Sequence, residues 1–198
     1  MTPEFEALVK KAVEDGLLPN AVALARDKSG KMNYTFAHGP SSVAPDSPPI
    51  TPSTLLTLAS MTKLITTLSI LQLIEAGSLT LDTDVTRLLP ALSSQPVLST
   101  PPTAAPTPRK SPITVRHLLT HTAGTGYLFL SPQLQEWAKG AERALPIPLR
   151  KSPLSGDRTV DKRFGYPLLF EPGSAWAYGS GLDWAGKLVE VVSGQKLG

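Results

Sequence analysis

The chain has 198 residues, 41% of them hydrophobic, enough for a packed domain or a large piece of one and too many for a disordered protein. It has no cysteine, which excludes disulfides and thiolate metal sites. The net charge is only +3; apart from Arg158, Lys162 and Arg163 the basic residues are scattered, and with no basic stripe interleaved with aromatics, nucleic acid is not an expected partner.

Residues 3–15 read as a helix. Phe5, Leu8, Val9, Ala12 and Val13 share one face, Pro3 suits the first turn and Gly16 the end. The opening MTPEFEALVKKAVEDG lacks the apolar core of a signal peptide, so a cytoplasmic protein is expected. Two β-favouring runs, 21–26 and 31–37, flank Asp27-Lys28-Ser29-Gly30 and predict a hairpin. Residues 40–53, rich in Pro and Ser, predict a loop.

A helix is predicted over 60–76, ended by Gly77. Leu64, Ile65, Leu68, Ile70, Leu71, Leu73 and Ile74 cover most of its circumference, which is the pattern of a buried helix. The apolar run 64–74 is too short and too hydroxyl-rich to span a membrane, and no membrane partner is expected. LTLDTDVTRLLPAL predicts a turn and a short helix ending near Pro90. Residues 93–112, SSQPVLSTPPTAAPTPRKSP, predict an exposed flexible loop with polyproline character. A short helix at about 114–120, a Gly-broken loop, a helix near 132–139 and a long irregular stretch to about 177 follow. The last element, about 181–193, is amphipathic, with Leu182, Ala185, Leu188, Val189 and Val192 on one side.

The chemistry begins at Ser60 and Lys63. Residues at i and i+3 share a helix face, so the Ser60 hydroxyl and the Lys63 amine can meet. A cation is disfavoured in the first turn of a helix, and a capping box would place Glu or Gln at that position. Serine is a weak nucleophile without a base, and lysine is a base once burial or a positive potential lowers its pKa. The start of a buried helix offers both, and its backbone amides could support an oxyanion. Taken alone, the same spacing also fits a solvated cap beside a surface lysine.

Tyr178, in YGSGLDWAGKLVE, stands just before the last helix, where a phenol can share a proton with an amine. A core tyrosine bonded through its hydroxyl is the plainer reading. His117 and His121 stand at i, i+4 in HLLTH, without the glutamate of H-E-x-x-H, and no zinc site is expected. His121 with Asp82 or Asp84 would make a triad. The favoured reading is that both histidines bond to backbone. Trp137, Trp176 and Trp184 are candidates for an acyl pocket, with packing as the favoured reading.

Ser60-Met61-Thr62-Lys63, Tyr178-Gly179-Ser180, RHLLTHTAG and GSLTLDTDVTRLLP together resemble the serine β-lactamase-like superfamily. The resemblance is to its class C β-lactamase and esterase branch, and within that to the fungal acyltransferases of secondary metabolism. That superfamily carries S-x-x-K at the start of a buried helix, then Y-x-N or Y-x-S, then a Lys-Thr-Gly or His-x-Gly strand. No such triplet follows Tyr178 here, and Gly181 stands where a relative carries Asn.

The resemblance implies Ser60 as nucleophile, Lys63 as its base and Tyr178 as proton relay. It implies a β-lactamase/transpeptidase-like α/β fold in partial form: one N-terminal portion, with a sheet layer at 1–38 and a helical lobe at about 50–198. The implied reaction is transfer of a short acyl group to an alcohol from a thioester (carrier-protein or CoA-bound) or an ester. Hydrolysis of small esters is the alternative within enzymes, and a catalytically dead truncated homologue the alternative outside them. Ser and Lys do this chemistry unaided, so neither a metal nor an organic cofactor is expected.

Overall fold

The computed structural model describes residues 3–139 and 159–197, which form two compact units, Met1–Leu58 and Ala59–Gly198. The expected irregular stretch between 140 and 158, and Arg158 with it, lies outside the described residues.

The first unit holds α1 (Pro3–Glu14) and an antiparallel pair, β1 (Ala21–Arg26) and β2 (Asn33–His38), in the register Ala21 opposite His38. Gly16, at φ +71°, ends α1: its N–H donates to Val13 O and the Leu17 N–H donates to Ala12 O, a Schellman closure. The second strand starts two residues later than the β-favouring run because Asp27 claims the turn. Its carboxylate accepts the Ser29 hydroxyl at 2.6 Å and the Met32 N–H at 3.0 Å. Phe5 of α1 meets Phe36 of β2 edge-on at 6.3 Å, and the Tyr34 hydroxyl donates to Glu6 at 3.0 Å. No residue of α1 is fully buried.

The second unit contains a 3-10 turn (Ala59–Met61) and six helices among its described residues: α2 (Thr62–Glu75), α3 (Pro90–Ser93), α4 (Val115–Leu119), α5 (Pro132–Lys139), α6 (Val160–Arg163) and α7 (Gly181–Ser193). α7 carries the core. Trp184, Ala185 and Leu188 are fully buried, in one cluster with Ile70 of α2 and Val115 and Leu118 of α4. Thr114 caps α4 reciprocally: its side chain accepts the His117 N–H, and His117 Nδ1 accepts the Thr114 N–H. Pro90 opens α3 rather than closing a helix, as suits a residue with no N–H to donate and φ already helical.

Two further expectations fail in this unit. The apolar helix α2 is not buried: Ile70 is its single fully buried residue, while Leu64 and Ile65 are 64% and 56% exposed and Leu68 and Leu71 are exposed beside them. A helix apolar on every side needs neighbours on every side, and here α7 covers one face. Replacing Leu64 and Leu68 by Gln is expected to lower binding of a hydrophobic fluorescent dye, while stability changes by less than about 0.5 kcal/mol, as for surface substitutions generally. Unchanged dye binding would mean that the face is covered in solution.

The segment 93–112 is not a free loop. Val97 bridges Thr107 and Leu168, and Gln95 is buried and donates to Phe164 O at 2.9 Å. Arg109 donates to Ser111 O and Ser93 O, and the Glu171 carboxylate accepts the N–H groups of Lys110 and Ser111. The prolines remove donors, and residues distant in sequence satisfy much of what remains, which ties the segment down.

Candidate active site

Ser60 lies in the 3-10 turn that leads into α2, after Ala59, whose φ of +47° is unusual for a residue with a side chain. One helical turn on, Lys63 Nζ donates to Ser60 Oγ at 3.3 Å. From the far end of the chain, the Tyr178 hydroxyl meets the same Oγ at 2.7 Å. The nucleophile candidate is therefore exposed and touched by both other candidates, and all three sequence-derived residues converge on one atom. The deep burial that motivated Lys63 is absent, since α2 is open here.

Tyr178 is held by glycine-rich backbone. An added Cβ on Gly179 would lie 1.8 Å from Thr125 O, and one on Gly181 2.5 Å from Leu118 O. Only glycine lets these backbones approach so closely. Gly181 thus answers a packing demand that leaves no room for a side chain. Ser180 is buried and donates to Gly126 O at 3.4 Å. The Lys63 amine, first, and the Ser60 hydroxyl, second, hold the Tyr178 phenol below the ordinary tyrosine value.

Two further residues join this cluster. Tyr127, from the end of HTAGTGY, lies under the Lys63 amine, 5.7 Å from Nζ to ring centroid; the Tyr178 ring is 5.0 Å from the same Nζ. The Tyr127 hydroxyl donates to Asp183 of α7 at 2.6 Å, and burial followed by that carboxylate pushes its pKa well up, so it stays a neutral donor. Sequence spacing does not relate Tyr127 to Lys63 or Asp183. The signal available was an aromatic closing a Gly-rich motif, which packing alone turns into a neighbour of the amine.

The triad reading fails. Asp82 is engaged by Arg116 and Asp84 by Thr86, whereas His117 and His121 each accept a backbone N–H, as favoured from the sequence. Trp184 is fully buried packing, and Trp176, 64% exposed, lies edge-on to His121. A cavity of about 880 Å³ opens beside the amine, lined by Ala59, Lys63, Thr66, Arg163, Asp183 and Glu190 among others. Among the described residues, no group of three or more His, Cys, Asp or Glu could hold a metal ion, and no helix is long and apolar enough to cross a membrane.

The family model for Beta-lactamase matches residues 5–198. The chain belongs to the β-lactamase family. Among curated relatives, it is 42% identical to the monacolin J acid methylbutanoyltransferase of Aspergillus terreus, over 98% of this chain and 46% of that one. It is 40% identical to the lovastatin esterase of Penicillium rubens, over 98% of this chain and 47% of the relative. The unliganded simvastatin synthase of Aspergillus terreus superposes with a TM-score of 0.83 at 40% identity, over 98% of this chain and 49% of that one. The chain thus spans about half the length of these relatives, and it shares the β-lactamase-like fold over nearly all of its own.

Proposed function

We propose that the chain carries the nucleophilic half of an acyl-transfer site that moves a short acyl group from a thioester or ester to an alcohol in fungal secondary metabolism. The observation that carries this reading is the meeting of Ser60 Oγ with both Lys63 Nζ and the Tyr178 hydroxyl. The methylbutanoyltransferase and esterase among its relatives support the reaction class.

In the first step Ser60 Oγ bonds to the acyl carbonyl carbon while its proton passes to Lys63 or an ionised Tyr178. The carbon–sulfur bond then breaks, and the thiol leaves with a proton returned by the same pair. In the second step the acceptor alcohol attacks the Ser60 ester, loses its proton to the pair, and Ser60 is released protonated. The donor we propose is a CoA or carrier-protein thioester. Water in place of the alcohol gives the esterase reaction with the same residues, a reading favoured by the exposure of Ser60 and by the esterase relative.

No Lys-Thr-Gly or His-x-Gly triplet follows Tyr178 in these 198 residues. In the family that strand supplies an oxyanion donor, and losing one such donor costs about 2.7–4 kcal/mol of transition-state stabilisation. Acylation of these 198 residues is best read by mass, which registers a single turnover. Incubation with a short-chain acyl thioester, or with an activated ester, should add one acyl mass to the wild type and none to Ser60→Ala. No gain in a sample folded by circular dichroism would overturn the enzyme reading for these 198 residues.

A further inference from the structure

We propose that His121 is the positioning residue for Tyr178, gripping the chain on both sides of it and so setting where the phenol meets Ser60. The consequence for rate rests on the acyl-transfer reading above; the geometry does not.

His121 accepts two N–H groups that flank Tyr178. Its carbonyl takes the Ala177 N–H at 3.1 Å, and its Nδ1 takes the Gly179 N–H at 3.3 Å. Between these two bonds the Tyr178 ring rests on the imidazole, with centroids 4.8 Å apart. Tyr127 touches the Tyr178 ring as well, at 5.8 Å, and Trp176 backs the imidazole at 6.1 Å. A phenol held at its ring and at both neighbouring peptides has little freedom left to swing away from Ser60.

The backbone at His121 supports the same conclusion. Its φ is +59°, the left-handed region that few residues with side chains adopt. Histidine is among the side chains found there more often than most, and this backbone turn is what brings both its carbonyl and its Nδ1 to the peptides flanking Tyr178. Nδ1 accepts only when unprotonated. Burial, and then the charge of Lys63 on α2, push the imidazole below its ordinary pKa, while Asp183 on α7 pulls the other way. The acceptor is therefore in place at neutral pH.

The test uses the full chain and the ultraviolet absorbance of phenolate. Of the four tyrosines, Tyr34, Tyr127 and Tyr166 are pushed up in pKa and Tyr178 down, so Tyr178 ionises first, an assignment that Tyr178→Phe verifies. His121→Gly relieves the backbone and removes the ring and the Nδ1 acceptor, while the carbonyl that takes the Ala177 N–H stays. It is expected to move that first midpoint up toward the other tyrosines. It should also slow Ser60 acylation by about 10²-fold, the usual penalty for a displacement on the order of 1 Å, with the pH–rate profile moving in the same direction. His121→Asn, which tolerates positive φ and restores an acceptor, should fall between the two.

A midpoint unmoved in His121→Gly overturns the proposal, as does one unmoved in His121→Asn should the glycine variant not fold. A wild type with no early-ionising tyrosine overturns it too. A midpoint that moves as expected in a chain that never acylates upholds the positioning and removes the acyl-transfer reading alone.

Discussion

Lys63→Met is expected to slow acylation of Ser60 by about 10²–10⁴-fold, the range that a positioned acid–base group contributes. Methionine keeps an unbranched apolar stem but has no amine to donate to Ser60 Oγ at 3.3 Å. Lys63 can act in one of two ways, and the substitution removes both: uncharged, it takes the Ser60 proton itself; charged, it is the largest influence holding the Tyr178 phenol low and leaves Tyr178 as the base. A lowered pKa gives Tyr178 a larger phenolate fraction at any pH below its ordinary midpoint. Without the cation that fraction falls, and the rise of acylation with pH moves to higher pH. Tyr178→Phe should instead remove that rise while leaving Lys63 in place. Initial rates across pH, followed by intact mass, separate the two. A Lys63→Met chain that acylates like the wild type would show that the lysine is not the base.

The second large effect is on stability. Gly179→Ala would set a methyl group 1.8 Å from Thr125 O, a backbone atom that cannot rotate aside. Overpacking costs about 1–3 kcal/mol, and rigid backbone on both sides puts this case at the upper end, about 3 kcal/mol. All three tryptophans, Trp137, Trp176 and Trp184, belong to the second unit, so the midpoint of denaturant unfolding followed by tryptophan fluorescence reads that unit directly. Acylation should fall further than the folded fraction, because the displaced backbone carries Tyr178. Wild-type stability in Gly179→Ala would mean that the 178–181 backbone does not lie against Thr125 in solution. Gly194→Ala is the contrast: its φ is positive, +70°, which Gly179's is not, and no atom lies within 4 Å of an added Cβ, so it reads backbone strain without the clash.

Much of the local structure was readable in the chain. The amphipathic repeat of Leu182, Ala185, Leu188 and Val189 predicts α7 because one apolar face at helical period has one use, burial. Gly16 and Gly77 mark the ends of α1 and α2 because both take the left-handed conformation that a helix stop requires. The i, i+3 spacing brings Lys63 to Ser60 because helical geometry alone sets that distance. These are short-range consequences of backbone sterics and of periodicity in side-chain polarity.

What lay beyond reach depends on contacts between residues far apart. Apolar side chains all round α2 announce a wish for burial, but whether neighbours exist is a property of the assembled fold, and here Leu64, Ile65, Leu68 and Leu71 stay exposed. Proline and serine in 93–112 argue for a loop, but nothing local predicts that Glu171, Leu168 and Phe164 would anchor it. Tyr178 reaches Ser60 across 118 positions because glycines at 179 and 181 let two backbones touch and because His121 accepts the peptides on either side. Residue type and spacing mark the Ser–Lys pair as chemically able; close packing of distant segments is what sets a phenol 2.7 Å from the hydroxyl it would serve.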